Sequence, residues 1–288
     1  MTILVMKEST LGSIWAYPVS KKGSCDETLV SEQIIEDLDT MGMNDCRRTF
    51  KSDQENAIED IQDKVKRKRG ADGLGTAIEN SPVGDSNNNG KVERGIQEHG
   101  GVTRTLRSAL EERLGCKVDL DHPRVPWMVR HAAQLITRYH IRACGKTSYR
   151  QAKGHDSILP VCEFGETIHF KPFKTISRDQ TGSVEDRMVE GIWLGKVIRS
   201  EENIVAVKGE AGATSGIYKV GDIMRQEATV RWSKEAIDTI KGTPKDPCPD
   251  LVRTNAPRHT IPTYTNPNAR QYRKPSEVVA QEDEAREI

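Results

Sequence analysis

Apolar positions follow two periods along the chain, and the change between them divides it. Residues 2–6, TILVM, form a short apolar run suited to a strand. Residues 13–19, SIWAYPV, predict a second strand, with a turn around Gly12 between the two. Over residues 26–41 the spacing lengthens. Leu29, Val30, Ile34, Leu38 and Met41 recur at three- and four-residue steps, so a helix is expected that closes at Gly42. A short strand over 46–52 and a helix over 54–68 follow, the helix with Ala57, Ile58, Ile61 and Val65 on one stripe. Residues 75–79 predict another strand, and 81–90, SPVGDSNNNG, a loop. Long helical patterns cover about 91–114, weakened by Gly100-Gly101, and about 122–139.

Near residue 160 the period shortens. FGETIHFKPF (164–173), VEGIWLGKVI (189–198), NIVAVKG (203–209), GIYKVGD (216–222) and ATVRW (228–232) are strand candidates, and such a run predicts a small β-barrel. Trp193 and Trp232 are expected to pack its interior or rim, and Trp127, Leu135, Ile136 and Tyr139 to lie in the core. From Ser233 apolar density falls, and prolines crowd between 244 and 275. Residues 240–288 therefore predict a disordered tail or linker, with the barrel ending at 232.

The charge balance is zero, with 43 basic and 43 acidic side chains, but its distribution is uneven. Residues 24–63 carry twelve acids and three bases, a net of −9. KVKRKR (64–69) holds five bases in six positions, and residues 104–150 carry a net of +6. That asymmetry permits a polyanionic partner, and KVKRKR also has the composition of a nuclear-import patch. No stretch has the 18 or more apolar residues of a membrane span, and residues 1–6 lack the basic flank of a signal peptide. The six cysteines form no CxxC pair, and the seven histidines do not pair with them at zinc-finger spacing, so free thiols in a reducing compartment are expected.

Two carboxylates stand out by position. Asp53 falls where a predicted strand ends, in KSDQENAI, and Glu93 in the first turn of a long helix, in NGKVERGIQ. Strand ends are common places for catalytic groups, and paired carboxylates suit Mg²⁺, which keeps water and phosphate oxygens in its shell. Such a site can stabilise both oxygens of a phosphodiester exchange. By residue type alone, an Asp after a strand is usually a helix cap and a Glu in a first turn usually serves the helix dipole. Lys91 and Arg94 flank Glu93, with Arg104 and Arg107 further along the same helix and Arg130 and Arg138 on the next; Arg and Lys there can contact phosphates. The alternative is solvent-facing arginines paired with Glu111 and Glu112.

The ordered set AYPVSKKG, KSDQENAI, NGKVERGIQ, RTLRSALEERLG, HPRVPWMVRHAAQLITRY, GKTSYRQAKG and FGETIHFKPF resembles the integrase region of Pol polyproteins from Copia-like LTR retrotransposons, over roughly residues 1–232. The resemblance implies an α/β ribonuclease-H-like catalytic core over 1–150, a mixed sheet flanked by helices, then an SH3-like barrel over 160–232 and a tail over 233–288. It implies DNA integration: 3′-end trimming and strand transfer of element DNA. Mg²⁺ or Mn²⁺ would be the cofactor, and an oligomer acting on double-stranded DNA the working form, in the nucleus or a cytoplasmic particle. The family's site is an Asp-Asp-Glu triad. Asp53 matches the second Asp and Glu93 the Glu, with 39 residues between them. The first Asp belongs to a strand that would precede TILVM and that these residues lack; Glu8 and Asp26 do not match it, and the preceding zinc module is also missing. The expectation is thus a core without its central first strand, with two strand edges unpaired, and a chain inactive alone. The rival readings are a non-catalytic nucleic-acid-binding remnant and an assembly module acting through the barrel.

Overall fold

The computed structural model describes residues 1–20, 27–43, 46–53, 55–80, 90–157, 162–173, 188–208, 215–251 and 257–265. The N-terminal half contains β1 (Thr2–Lys7), β2 (Ile14–Val19), α1 (Glu27–Thr40), β3 (Arg48–Ser52), α2 (Asn56–Ala71), β4 (Thr76–Asn80), α3 (Gly90–Leu114), α4 (Arg124–Tyr139) and the short α5 (Ser148–Lys153). The C-terminal half contains β5 (Thr167–Phe170), β6 (Val189–Lys196), β7 (Asn203–Val207), β8 (Gly216–Val220), β9 (Ile223–Arg225) and α6 (Lys234–Asp238). The loop expected over 81–90 lies, apart from Gly90, outside the described residues.

β1 and β2 form an antiparallel hairpin with Lys7 opposite Ile14. Glu8 closes the turn: its carboxylate accepts from the backbone N–H of Thr10 (2.9 Å) and of Leu11. β2 is buried on both faces, with period 2. Trp15 and Tyr17 meet the apolar stripe of α1 (Val30, Ile34, Leu38), while Ile14 and Ala16 meet Val129, Ala133 and Ile136 of α4. α1 ends as its sequence predicts, with Gly42 at φ 70° and the Met43 N–H donating to the Leu38 carbonyl (2.7 Å). α2 lies against α1 through Ile61 and Val65, and two ion pairs of 2.7 Å, Lys64–Glu27 and Lys68–Glu32, flank that contact.

β3 and β4 pair in parallel, and among the described residues no ladder joins them to β1–β2. Two separate two-stranded sheets thus stand where the sequence implied one sheet lacking its middle strand. β1 shows the consequence: although Ile3, Leu4, Val5 and Met6 are apolar, no residue of the strand is buried, and Ile3 is exposed.

The C-terminal strands form one sheet in the order β8-β7-β6-β5-β9. A small β-barrel was expected; among the described residues no ladder joins the edge strands β8 and β9. Only Gly221 and Asp222 separate those strands in sequence, so the sheet must curl to bring its edges near. Within the curl pack Ile168, Phe170, Trp193, Val205 and Val220. The edge strand is 223–225; residues 228–232, expected as a strand, form a turn and an irregular segment.

α4 joins the halves. One side covers β2, while Val125, Trp127 and Met128 share a core with Ile192, Leu194, Ile204 and Ile217 of the large sheet. Tyr139, expected in the core, is 38% exposed at the end of α4. The expectation of a disordered tail also fails for residues 233–251 and 257–265. Ile237 and Cys248 are fully enclosed, and the Trp127 indole donates to the Gly242 carbonyl (2.9 Å). The Lys219 N–H donates to the Pro262 carbonyl (2.7 Å), and the Tyr264 N–H to the Lys219 carbonyl (3.0 Å). Prolines lack a donor but keep an acceptor, so a proline-rich segment can still run along the edge of β8. Residues 266–288 lie outside the described residues.

Candidate nucleic-acid interface

Asp53 directly follows β3, at the end of the β3–β4 pair where Ser52 stands opposite Asn80. It is exposed. The Asp53 carbonyl accepts from the Glu55 N–H (2.9 Å) and from Ser52 Oγ (3.0 Å), and Gln62 of α2 donates to that hydroxyl (3.0 Å). The end of β3 is therefore tied to the first turns of α2. Asn80 at the end of β4 is likewise tied to Glu59 (2.8 Å).

Glu93 lies in the first turn of α3, exposed, with Lys91 and Arg94 exposed beside it. Gly95 sets where that turn sits. A Cβ there would lie 2.8 Å from Lys7 Cδ and 3.7 Å from Ile14 Cδ1, so glycine lets α3 approach the end of β1 closely. Asp53 and Glu93 thus stand on separate elements, and α3 is seated on β1 and α4.

The remaining candidates divide. Arg104 is exposed on α3, whereas Arg107 is already engaged, its guanidinium donating to Glu111 (2.9 Å) and to the Val118 carbonyl (3.2 Å). The Val118 N–H, Lys117 and Arg107 together hold the Glu111 carboxyl down to about 2. Arg138 is buried and paired with Glu201, which removes it from any phosphate surface; Arg130 is half-buried. Glu8, weighed as a substitute first carboxylate, is committed to its turn, and Asp26 lies outside the described residues.

A group the sequence did not single out gathers around Glu98. This carboxylate meets Lys7 (3.7 Å), Arg142 (3.3 Å) and His140, and so ties α3 to the end of β1 and to the turn after α4. Burial is the main cause that lowers the Lys7 pKa, opposed by Glu98. Spacing gives no hint of this cluster, because its members come from three distant segments.

The donors at Asp53 and Glu93 are oxygens, which suit a hard cation such as Mg²⁺. Among the described residues no group of three or more His, Cys, Asp or Glu side chains is placed to hold a metal. KVKRKR lies within α2, not on an extended segment. Val65 and Arg69 are buried, Lys64 and Lys68 are paired with α1, and Lys66 and Arg67 point outward. No helix among the described residues is long and apolar enough to cross a membrane.

No protein-family model matches the chain, and no curated protein is similar to it in sequence. Among solved structures, the chain is similar to one in the cryo-electron-microscopy structure of the simian T-cell lymphotropic virus intasome in complex with the PP2A regulatory subunit B56 gamma. The TM-score is 0.37 with 12% identity, covering 78% of this chain and 72% of that one. That likeness is distant, and the functional reading rests on the residues themselves.

Proposed function

We propose that the chain serves DNA integration of the retrotransposon type, as the polynucleotidyl-transfer region of a Pol-derived integrase. Its partner would be double-stranded DNA, its working form an oligomer, and its compartment the nucleus or a cytoplasmic particle. The observation that supports the reading is an exposed Asp53 just past the end of β3 and, on a separate element, an exposed Glu93 in the first turn of α3, flanked by Lys91 and Arg94. Asp53 and Glu93 would hold Mg²⁺ or Mn²⁺, sharing it with water and phosphate oxygens. When bound, the metal would stabilise charge on the attacking and leaving oxygens of the phosphodiester.

The protein's own residues supply orientation. Lys91 and Arg94 offer full positive charges on the turn that carries Glu93, which suits phosphate contact without base reading. Gly95 and the Glu98 cluster fix that turn against β1. Binding without turnover is the second reading. It is favoured by Glu8, whose carboxylate is spent on its own turn instead of completing a three-carboxylate set.

The deciding experiment measures strand transfer of labelled element-end DNA with Mg²⁺ or Mn²⁺, by these 288 residues and by a variant with an Asp-bearing strand fused before Thr2. The expected outcome is salt-sensitive DNA binding by both, and transfer by the fused variant that Glu93→Gln abolishes. Transfer by the fused variant that survives both Asp53→Asn and Glu93→Gln would overturn the site. Binding without transfer by the fused variant would favour the binding reading.

A further inference from the structure

Helix α2 distributes the five bases of KVKRKR by face. Lys64 and Lys68, one turn apart, reach α1 and pair with Glu27 and Glu32. Arg69 turns inward, fully enclosed, donating to Thr76 Oγ1 (3.0 Å) and to the Cys46 carbonyl (2.8 Å). Lys66 and Arg67 are left on the exposed side. They border an open cleft of about 640 Å³ whose other wall is Gly75 and Thr76, with Gly70 and Leu74 between. Arg47, also exposed, lies over Gly75: a Cβ on that glycine would sit 3.4 Å from Arg47 Cγ.

Among the described residues no carboxylate is paired with Lys66, Arg67 or Arg47. Arg67 Nε donates only to the Asp63 backbone carbonyl (3.3 Å). Asp63 is the one acid in the lining, and it forms no ion pair with either base. The negative end of the helix dipole lies nearby, but it amounts to about half a charge against the full charges of these side chains. No aromatic ring lines the cleft, so it offers no platform for stacked bases.

We propose that this cleft is a second nucleic-acid surface, which grips the phosphate backbone of a duplex through Lys66, Arg67 and Arg47. It goes beyond the function proposed above because it stands at the other end of the same strands. Arg48 opposite Thr76 marks the start of the parallel pair and Ser52 opposite Asn80 its finish, roughly 13 Å away at about 3.3 Å per residue. The cleft thus lies at the opposite end of the β3–β4 pair from Asp53.

The test uses the full chain and a short labelled DNA duplex, with affinity measured by anisotropy across a salt series. Lys66→Ala/Arg67→Ala is compared with Lys91→Ala/Arg94→Ala. All four positions are exposed on helices, and thermal midpoints check that each variant is folded. Loss of two phosphate contacts lowers the salt slope by about 1.8 and weakens binding on the order of ten- to a hundredfold at 0.1 M salt. That result for the 66/67 variant supports the cleft, whatever the 91/94 variant does. Unchanged affinity and slope for the 66/67 variant overturn it, and loss in the 91/94 variant alone leaves the Glu93 site standing without it. Equally tight capture of polyglutamate, lost in the 66/67 variant, would also overturn it by assigning the cleft to an acidic protein segment.

Discussion

Arg138 on α4 and Glu201 on the β6–β7 connection form a two-pronged ion pair, with nitrogen–oxygen distances of 2.7 and 2.8 Å. Arg138 is buried and also lies over the Tyr149 ring, 5.3 Å from its centroid. Glu201 holds a positive φ of 60°, uncommon for a residue with a Cβ. The pair links the β6–β7 connection to the helix that packs on β2, beside the apolar core that α4 shares with the large sheet.

Removing one partner should cost more than removing both. Arg138→Ala leaves a carboxylate that is only 23% exposed without its cation, and is expected to destabilise by about 2–3 kcal/mol. Arg138→Met with Glu201→Gln should recover at least half of that loss. Urea unfolding of the parent and the two variants measures both terms; a double variant no better than Arg138→Ala would mean that packing, not charge, holds the joint.

Thr137 satisfies both backbone groups of one β2 residue: its hydroxyl accepts from the Ile14 N–H (2.9 Å) and donates to the Ile14 carbonyl (3.0 Å). Thr137→Val keeps the shape and removes both bonds. A loss of about 1–3 kcal/mol is expected, because the Ile14 groups have no access to water. Hydrogen exchange at the Ile14 amide should rise with it.

Acid should weaken the fold in a way two side chains govern. His131 is enclosed between Phe164 and Trp193 with Nδ1 unpartnered, and burial, helped by Arg138, lowers it to about 3. Unfolded, it titrates near 6.5. The unfolded chain therefore takes up the proton first, and stability falls by about 1.4 kcal/mol per pH unit as pH drops from 6.5 towards 3. Asp37, buried beside Tyr17, works the other way. Burial raises it to about 6 against Arg130 and the Tyr17 hydrogen bond (2.8 Å). Its contribution is present below its unfolded value of 3.8 and is lost as pH rises through 6. Between pH 4 and 6 the two oppose, and His99 and His122, both lowered mainly by burial, tip the balance towards acid loss. Thermal midpoints from pH 8 to 4 should show His131→Leu flattening the decline and Asp37→Asn steepening it, with Asp37→Asn more stable than the parent at pH 8.

Gly242 reports on the C-terminal segment. A Cβ there would lie 2.0 Å from the Pro247 carbonyl oxygen and 2.7 Å from Ile217 Cγ1, both set by the packing of that segment on β8. Gly242→Ala should release residues around 240–251, destabilise by about 2–4 kcal/mol and quench the Trp127 environment, whose indole bonds to Gly242. Limited proteolysis with intrinsic fluorescence follows both effects; an intact segment in the variant would refute the close fit.

The elements of the N-terminal half were legible in the sequence because their apolar periods are unambiguous. The α1 stripe ends at Gly42, and Trp15/Tyr17 alternate with Ile14/Ala16, so helix and strand could be read locally. The likeness of AYPVSKKG, KSDQENAI and NGKVERGIQ to an integrase core singled out Asp53 and Glu93 in the same way, through local motifs in order. What the sequence by itself could not decide was which groups are spent inside the fold. Arg107, Arg138 and Glu8 have the chemistry of site residues, yet Glu111, Glu201 and the turn at Thr10–Leu11 take them up; the i,i+4 spacing of Arg107 and Glu111 allowed their pairing, whereas Glu201 lies 63 residues from Arg138, a separation no local pattern encodes. KVKRKR likewise reads as one basic run, but pairing with α1 and burial against β4 leave Lys66 and Arg67 free. The proline-rich stretch after Ser233 looked too poor in apolar groups to order itself. Tertiary structure decided otherwise, because β8 presents an edge whose N–H and C=O groups need partners, and carbonyls such as those of Pro247 and Pro262 supply acceptors whether or not their residues can donate.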